Sequence, residues 1–401
     1  VPFAIYLLGL AVFAQGTSEF MLSGLVPGIA QDLHVSIPAA GALTSAFAVG
    51  MVVGAPLMAV LSLRWPRRTA LLVFLAVFMV VHIVGAVTTD FGVLLATRAI
   101  GALANAGFLA VGMATATSMV EPHAKGRVIS VLLSGVTLAC VAGVPAGALM
   151  GQLWGWRSAF WAVALICAPV LIAVVRSVPG PAPAVPEATA RRHAEVPSAR
   201  RELRALRRPR LLVILLLGAL VNGATFCTFT YLLPLTTQVS GFQESWTPVL
   251  LALFGLGSFL GVTVAGRMSD NRPMRLLVPG GGALLAGWLL FAVAADSPVA
   301  ALLLLFVQGT LSFAVGSTLI TRAVYAASGA PTLAGSFATA AFNVGAALGP
   351  AAGGAAIDAG LGFRSPLWVS ALLVALAFAV AGLAHAVRQA RGGPGETSPV
   401  I

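Results

Sequence analysis

Charge is what this sequence has least of. Only 9% of its 401 residues are Asp, Glu, Lys or Arg, where a soluble chain carries roughly 25%. The deficit runs from end to end and leaves no stretch long and polar enough for a separate soluble domain. Lysine is almost missing: Lys125 is the one lysine among 23 basic residues. It follows Ala124 and precedes Gly126, so there is no Gly-Lys-[Ser/Thr] phosphate loop and no ATP-driven motor within the chain. Cysteine is scarce too. Cys140, Cys167 and Cys227 form no C-x-x-C pair and read as small buried apolar residues, which excludes a disulfide framework and a thiolate metal site. No Ser/His/Asp, metal or cofactor constellation is visible, which argues against an enzyme and implies no cofactor. The N-terminus has neither a basic n-region nor an A-x-A site, so no removable signal peptide is expected.

What is abundant is apolar surface. Hydrophobic residues make up 59% of the chain, arranged in runs near the ~20 residues that a helix needs to cross the bilayer core. Hydropathy places spans 1 to 12 at 3–27, 39–62, 69–88, 92–119, 127–150, 158–177, 210–237, 247–268, 274–295, 298–321, 334–357 and 366–387. Each run is too long for a barrel strand and lacks period-two alternation, so helix is the expected state. The expected fold is an all-α membrane protein of twelve transmembrane helices.

The basic residues alternate with the crossings. One set of loops holds 20 of them, including Arg64, Arg67 and Arg68, nine Arg between Arg176 and Arg210, and Arg267, Arg272 and Arg275. The other set holds only Arg157 and Arg364; Arg98 falls within a span. By the positive-inside rule both termini are cytoplasmic, in a multi-pass protein of the bacterial inner membrane. The formal charge of +11 is thereby explained by topology, and no nucleic-acid partner is implied. Residues 178–209 are rich in Pro and Arg and cannot bury a core, so a flexible cytoplasmic linker is expected. Within it, Arg200–Arg208 could lie as a basic helix on the inner leaflet, although solvated topology-setting charge explains it as well.

The linker divides two six-span halves, 1–177 and 210–387, followed by a flexible tail, 388–401. The halves align. The segment Ala59 to Arg68 after span 2 matches Gly266 to Arg275 after span 8 at an offset of 207, with Ser62/Ser269, Pro66/Pro273 and Arg68/Arg275 coinciding. Gly143-Val-Pro145 in span 5 meets Gly349-Pro350 in span 11, with the prolines 205 apart. Parallel six-span repeats are the plan of transporters that rock about a central site.

Several residues within the spans could carry chemistry. Glu19 lies deep in span 1, where an ionised carboxylate costs at least a few kcal/mol. Burial favours its protonated form, as a proton-coupling group requires; permanent structural pairing with Arg98 is the competing reading. Its counterpart at the repeat offset is Phe226. Arg98 in span 4 needs an acid, backbone carbonyls or water, or must snorkel to the outer interface. Asp32, just after span 1, is a third coupling candidate, with helix capping or a loop role as the alternative. Asn105, Asn222, Gln308 and Asn343 could hydrogen-bond a neutral ligand or tie helices together. Phe108, Phe226, Phe229 and Tyr231 could stack on an aromatic ligand or simply pack. His82 in span 3 could titrate or pack. Gly143, Pro145, Gly349 and Pro350 mark bent, closely packed helices.

These motifs resemble the major facilitator superfamily, and specifically its twelve-span drug:proton antiporters. The loop after span 8 is similar to the family's G-x-x-x-D-x-x-G-x-[RK] signature, with Gly266, Asp270 and Arg275 in place and Pro273 at the second glycine. The loop after span 2 carries Arg64 and Arg68 but has Leu63 where the acid belongs. Leu94-x-x-x-Arg98 resembles the family's span 4 signature, whose Arg is implicated in proton transfer. Gly345-x-x-x-Gly349-Pro350-x-x-Gly353-Gly354 resembles the antiporter signature, here in span 11. The run from Phe13 through Glu19 to Pro27, Ala40–Phe47, and Trp154–Phe160 resemble the actinobacterial chloramphenicol-resistance exporters. The resemblance implies a monomer exchanging protons for phenicol-like drugs across the lipid bilayer, with the two loops as gates and the Gly-Pro packing as a block to leakage. Two alternatives stand beside it: an exporter of sugars, nucleosides or another metabolite on the same fold, and a receptor or passive facilitator.

Overall fold

A computed structural model describes residues 3–61, 65–121, 125–177, 208–268, 273–327 and 334–391. Among these residues there is no strand, and twelve helices are long and apolar enough to cross a membrane. Their bounds follow the hydropathy closely: span 2 is Ile37–Leu61, span 3 Arg67–Val87, span 4 Phe91–Ser118, span 6 Arg157–Ser177, span 8 Thr247–Met268, span 9 Pro273–Ala294, span 10 Pro298–Ala326 and span 12 Ser365–Arg391. The chain is a multi-pass membrane protein. Of the expected gating loops, Arg64 and Asp270 lie outside the described residues, as does the linker through residue 207.

The described chain forms two compact units. The first comprises Val1–Ser198 with Gln243–Gly255, and the second Ala199–Phe242 with Leu256–Ile401. The first six spans thus fall in one unit, while the start of span 8 groups with them: a Cβ on Gly255 would come within 2.3 Å of the Cys140 carbonyl oxygen. The core of the first unit is apolar, with Leu22, Phe78, Phe108 and Phe160 almost wholly buried.

The internal repeat is written in the backbone. His34 and Gly241 both adopt a left-handed conformation (φ 55° and 73°), and so do Gly155 and Gly362 (φ 81° and 74°). Both pairs are separated by the 207 residues read from the loops. Glycine tolerates this region at no steric cost, whereas His34 holds it at a strained position. The same offset relates two helix caps. Asp90 accepts from the Val93 amide at the start of span 4 (2.8 Å), and Ser297 from the Ala300 amide at the start of span 10 (3.4 Å). The two arginines of the sparsely charged loops, Arg157 and Arg364, are also 207 apart. Each is paired with an acid, Asp32 and Asp296 respectively.

Helix interruptions fall partly where proline predicts them. Span 5 (Lys125–Trp154) contains a π-turn at Ala139–Gly143 that ends just before Pro145. There the Val144 amide reaches back to the Ala139 carbonyl, as expected where Pro145 supplies no amide of its own. Span 11 is continuous at its proline. Its helix, Ala334–Ala356, runs through Pro350, and the irregular turn comes later, at Ile357–Leu361, around the left-handed Gly360. The glycines beside Pro350 do allow close packing. A Cβ on Gly345 would sit 2.0 Å from the Ala219 carbonyl oxygen, and one on Gly349 2.1 Å from that of Gly223. Spans 1 and 7 both break near their ends. Span 1 is helical over Phe3–Phe20, then turns through Met21–Gly24 into Val26–Asp32; span 7 runs Pro209–Thr230 and resumes as Leu232–Gln238. Pro27 and Pro234, again 207 apart, stand in the two short follow-on helices.

Candidate functional site

Glu19 occupies the last turn of the first helix, one residue before the break in span 1. It is half-buried, and among the described residues it has no ion pair within 4 Å. Arg98 is close enough for the two charges to interact, but its two terminal nitrogens are committed elsewhere, while its buried Nε has no partner among the described residues. One terminal nitrogen donates to Ser18 Oγ at 2.8 Å and the other to the Ser18 carbonyl oxygen at 2.9 Å. Its carbon lies 4.5 Å from the centre of the Phe47 ring, a cation–π contact. Arg98 is only 2% exposed. It therefore neither snorkels to the outer interface nor pairs directly with Glu19, the two structural roles weighed for these residues.

Ser18 carries the network further. Its hydroxyl lies 2.6 Å from His82 Nε2, while His82 Nδ1 lies 2.7 Å from the Phe78 carbonyl oxygen. A carbonyl only accepts, so Nδ1 carries the proton, and in that singly protonated tautomer Nε2 is the acceptor for the Ser18 hydroxyl. Ser18 Oγ in turn accepts from Arg98. His82 is held between the rings of Phe78 and Phe160, with centroids 4.3 and 5.8 Å away. Four residues earlier on the Glu19 face, Gln15 is 1% exposed, and neither of its amide atoms has a partner among the described residues. Composition and hydropathy are blind to Ser18, His82 and Gln15 as a group, since an uncharged polar residue barely lowers the mean of an apolar run.

Asp32 takes no part in this cluster. It lies beyond the span, where Arg157 donates to its Oδ2 together with Trp156 Nε1 at 3.2 Å. That hydrogen-bonded ion pair holds its carboxyl below the usual carboxylate range. This geometry fits the loop role weighed against coupling for Asp32: the side chain is 43% exposed and tied to the start of span 6.

The expected ligand-binding residues divide by unit. In the first, Asn105 is buried, with its amide nitrogen 3.5 Å from Met51 Sδ and its Oδ1 without a partner. Phe108 belongs to the apolar core. In the second, Phe226 and Phe229 meet edge to face at 6.5 Å, and the Asn222 amide donates to the Phe342 carbonyl at 2.7 Å. Asn343 donates to the Thr339 carbonyl within its own helix. Tyr231 is 1% exposed and spends its hydroxyl on the Pro350 carbonyl at 2.9 Å. Gln308 is fully buried, its nitrogen on the Leu284 carbonyl and its oxygen unpartnered. An apolar cavity of about 90 Å³ lies in this unit, lined by Leu217, Val221, Val315, Leu319 and Phe378 among others. None of the expected ligand residues lines it. Nothing at the 207 offset reproduces the first unit's cluster: Ser18, Glu19, His82 and Arg98 correspond to Thr225, Phe226, Leu289 and Leu305.

Comparison with known proteins gives this asymmetric polar cluster its setting. Residues 8–338 match the family model described as Major Facilitator Superfamily. The chain is 55% identical over 381 residues to the chloramphenicol resistance protein of Streptomyces lividans, covering 95% of this chain and 96% of that one. It is 35% identical over 380 residues to the inner membrane transport protein YdhP of Escherichia coli (strain K12), covering 94% of each. Among solved structures, a bacterial homologue of the human lysosomal transporter Spinster, in an inward-facing and occupied conformation, superposes with a TM-score of 0.75 at 18% identity, covering 98% of each chain. The nucleoside transporter NupG superposes with a TM-score of 0.74 at 13% identity, covering 96% of this chain and 99% of that one. These two likenesses carry the fold.

Proposed function

The chain belongs to the Major Facilitator Superfamily, so it is a transporter of small molecules rather than an enzyme, and from that premise we propose that it exports chloramphenicol and related drug-like compounds in exchange for protons. The substrate class is drawn from the Streptomyces relative. The coupling role of Glu19 rests on one observation: a carboxyl deep in an apolar span, beside Arg98 but not ion-paired with it.

The proposed cycle uses alternating access. Facing the cytoplasm, Glu19 gives up its proton and drug binds; facing outward, a proton returns to Glu19 and drug leaves. A carboxyl locked to Arg98 could not make this exchange, because breaking a buried ion pair costs several kcal/mol. Arg98 stabilises the ionised intermediate at close range without trapping it. With no nucleotide-binding loop in the chain, the proton gradient is the energy source that fits. The distribution of arginine supports cytoplasmic termini, and the bacterial inner membrane is the setting proposed for the chain. With six spans in each half, one chain carries the whole pathway and is proposed to act as a monomer.

The test is drug-driven proton flux in everted membrane vesicles. Wild type should release protons on addition of chloramphenicol, and Glu19→Gln, which keeps the shape but cannot ionise, should not. Drug accumulation in cells with and without a protonophore measures coupling independently. Unchanged flux in Glu19→Gln, or accumulation indifferent to the protonophore, would remove the proposal.

A further inference from the structure

His82 sits on span 3, where neither the antiporter signatures nor the coupling scheme above gives it a task. It is 3% exposed, yet both ring nitrogens have partners, and the partners differ in kind. Nδ1 faces the Phe78 carbonyl, one turn back in its own helix, which fixes the tautomer. Nε2 faces the Ser18 hydroxyl on span 1, across 64 residues of sequence. Span 4 brings Arg98 to that same hydroxyl; span 6 brings the Phe160 ring. The charged or titratable side chains around this point are therefore Arg98 itself and Glu19, the residue after Ser18, with the Cys140 thiol within electrostatic reach of Glu19.

Resting on the coupling role of Glu19, we propose that His82 is a positioning residue of the site: its neutral Nδ1–H tautomer aims the Ser18 hydroxyl, and Ser18 holds the Arg98 guanidinium short of the Glu19 carboxylate. The logic is one of lone pairs. A serine hydroxyl has one proton to give and can turn about its own bond. With His82 Nε2 taking that proton, the oxygen's lone pairs are turned toward the Arg98 nitrogen. Without an acceptor at that point the hydroxyl proton must find another, and an acceptor lone pair for Arg98 is no longer assured. The guanidinium would keep its bond to the Ser18 carbonyl, but its second nitrogen would be free for the nearest anion, which is Glu19. An Arg–Glu pair of this kind, desolvated and hydrogen-bonded, is the trap that coupling must avoid. His82 acts without touching the drug or exchanging protons itself.

Four variants in everted vesicles decide this, read as the rate of drug-driven proton release and as the pH at its half-maximum. His82→Phe keeps an aromatic ring between Phe78 and Phe160 but offers no acceptor. It should slow release roughly tenfold or more, the scale set by one hydrogen bond to a charged group, and displace the midpoint by about one pH unit. His82→Gln, whose side-chain oxygen can accept from Ser18, should stay within about threefold of wild type at an unchanged midpoint. Ser18→Ala cuts the same link from the other end and should reproduce the His82→Phe profile, the double variant being no worse than either single. An unaltered profile in His82→Phe overturns the proposal, as does a His82→Gln protein as slow as His82→Phe. If His82→Phe fails to reach the membrane, Ser18→Ala with wild-type rate and midpoint overturns it equally. Glu19→Gln, run alongside, separates the two readings. Flux that persists in it removes the coupling role of Glu19; flux lost there but untouched in His82→Phe and Ser18→Ala removes only the positioning role.

Discussion

Arg98 grips Ser18 with both terminal nitrogens, at 2.8 and 2.9 Å, and so turns those two donors to the residue next to the acid rather than to the acid. A planar fork is needed for this, because two acceptors of one residue, a hydroxyl and a carbonyl, must be met at once over the face of Phe47. Lysine carries the same charge but presents it as a point. Arg98→Lys should therefore keep the charge balance of the first unit yet slow drug-driven proton release by roughly tenfold or more. A lysine variant that transports like wild type would show that charge alone suffices.

The glycine seam between spans 7 and 11 makes a prediction about stability within the second unit. A methyl group on Gly349 would meet the Gly223 carbonyl oxygen at 2.1 Å, whereas one on Gly282 in span 9 would meet nothing within 4 Å. Backbone cannot give way as a side-chain tip can. Gly349→Ala should cost about 1–3 kcal/mol, read as a fall in the unfolding midpoint of the detergent-purified protein. Gly282→Ala should leave it unchanged or raise it, since Ala gains up to about 1 kcal/mol over Gly in a helix interior.

The architecture was legible because its signals are long. Each span needs some 20 apolar residues, and a repeat offset of 207 survives in loops and prolines alike; the His34/Gly241 and Gly155/Gly362 turns confirm it without having been anticipated. Glu19 and Arg98 were legible because a charge inside an apolar run is costly enough to stand out. What links them was not. The Ser18–His82 and Ser18–Arg98 bonds span 64 and 80 residues, and contacts at that range follow from packing rather than from any local pattern. The partners of Asp32 were hidden for a similar reason. Its neighbours in sequence suggest span 1, while the residues it bonds, Trp156 and Arg157, lie at the entrance to span 6. The irregular turn of span 11 was not legible either: the helix carries Pro350 without interruption, and the turn forms at Ile357–Leu361.

Tyr231 tests where packing ends and ligand contact begins. Its ring lies against Gly353 and its hydroxyl on the Pro350 carbonyl, both on span 11. Tyr231→Phe keeps the ring and deletes the bond. It should lower the stability of the purified protein by about 0.5–1.5 kcal/mol and leave the concentration of drug giving half-maximal proton release unchanged. A shift in that concentration with no loss of stability would return Tyr231 to the binding residues.

Asp32 provides the sharpest contrast with Glu19, because the two acids differ in what ionisation does for them. Hydrogen bonding from Arg157 leads the causes that hold the Asp32 carboxyl below its ordinary value, about 3.9 in an unfolded chain. A group with a depressed folded value contributes its stability in full above the unfolded value and loses it as pH falls through the folded one. The bond to span 6 should thus be intact at neutral pH and fail only below about pH 4. Its worth is modest, since the carboxyl and guanidinium are 43% and 31% exposed and salt screens a pair of that kind. Asp32→Asn retains an oxygen for Trp156 and Arg157 but has no proton to take up. It should flatten the acid limb of a stability-versus-pH curve measured in detergent, with high salt narrowing the difference from wild type. At neutral pH the same variant should export drug and release protons within about twofold of wild type, as expected of a change outside the chemistry. If proton release instead collapsed as in Glu19→Gln, the ion pair with Arg157 would have to open during transport, and Asp32 would rejoin the coupling path.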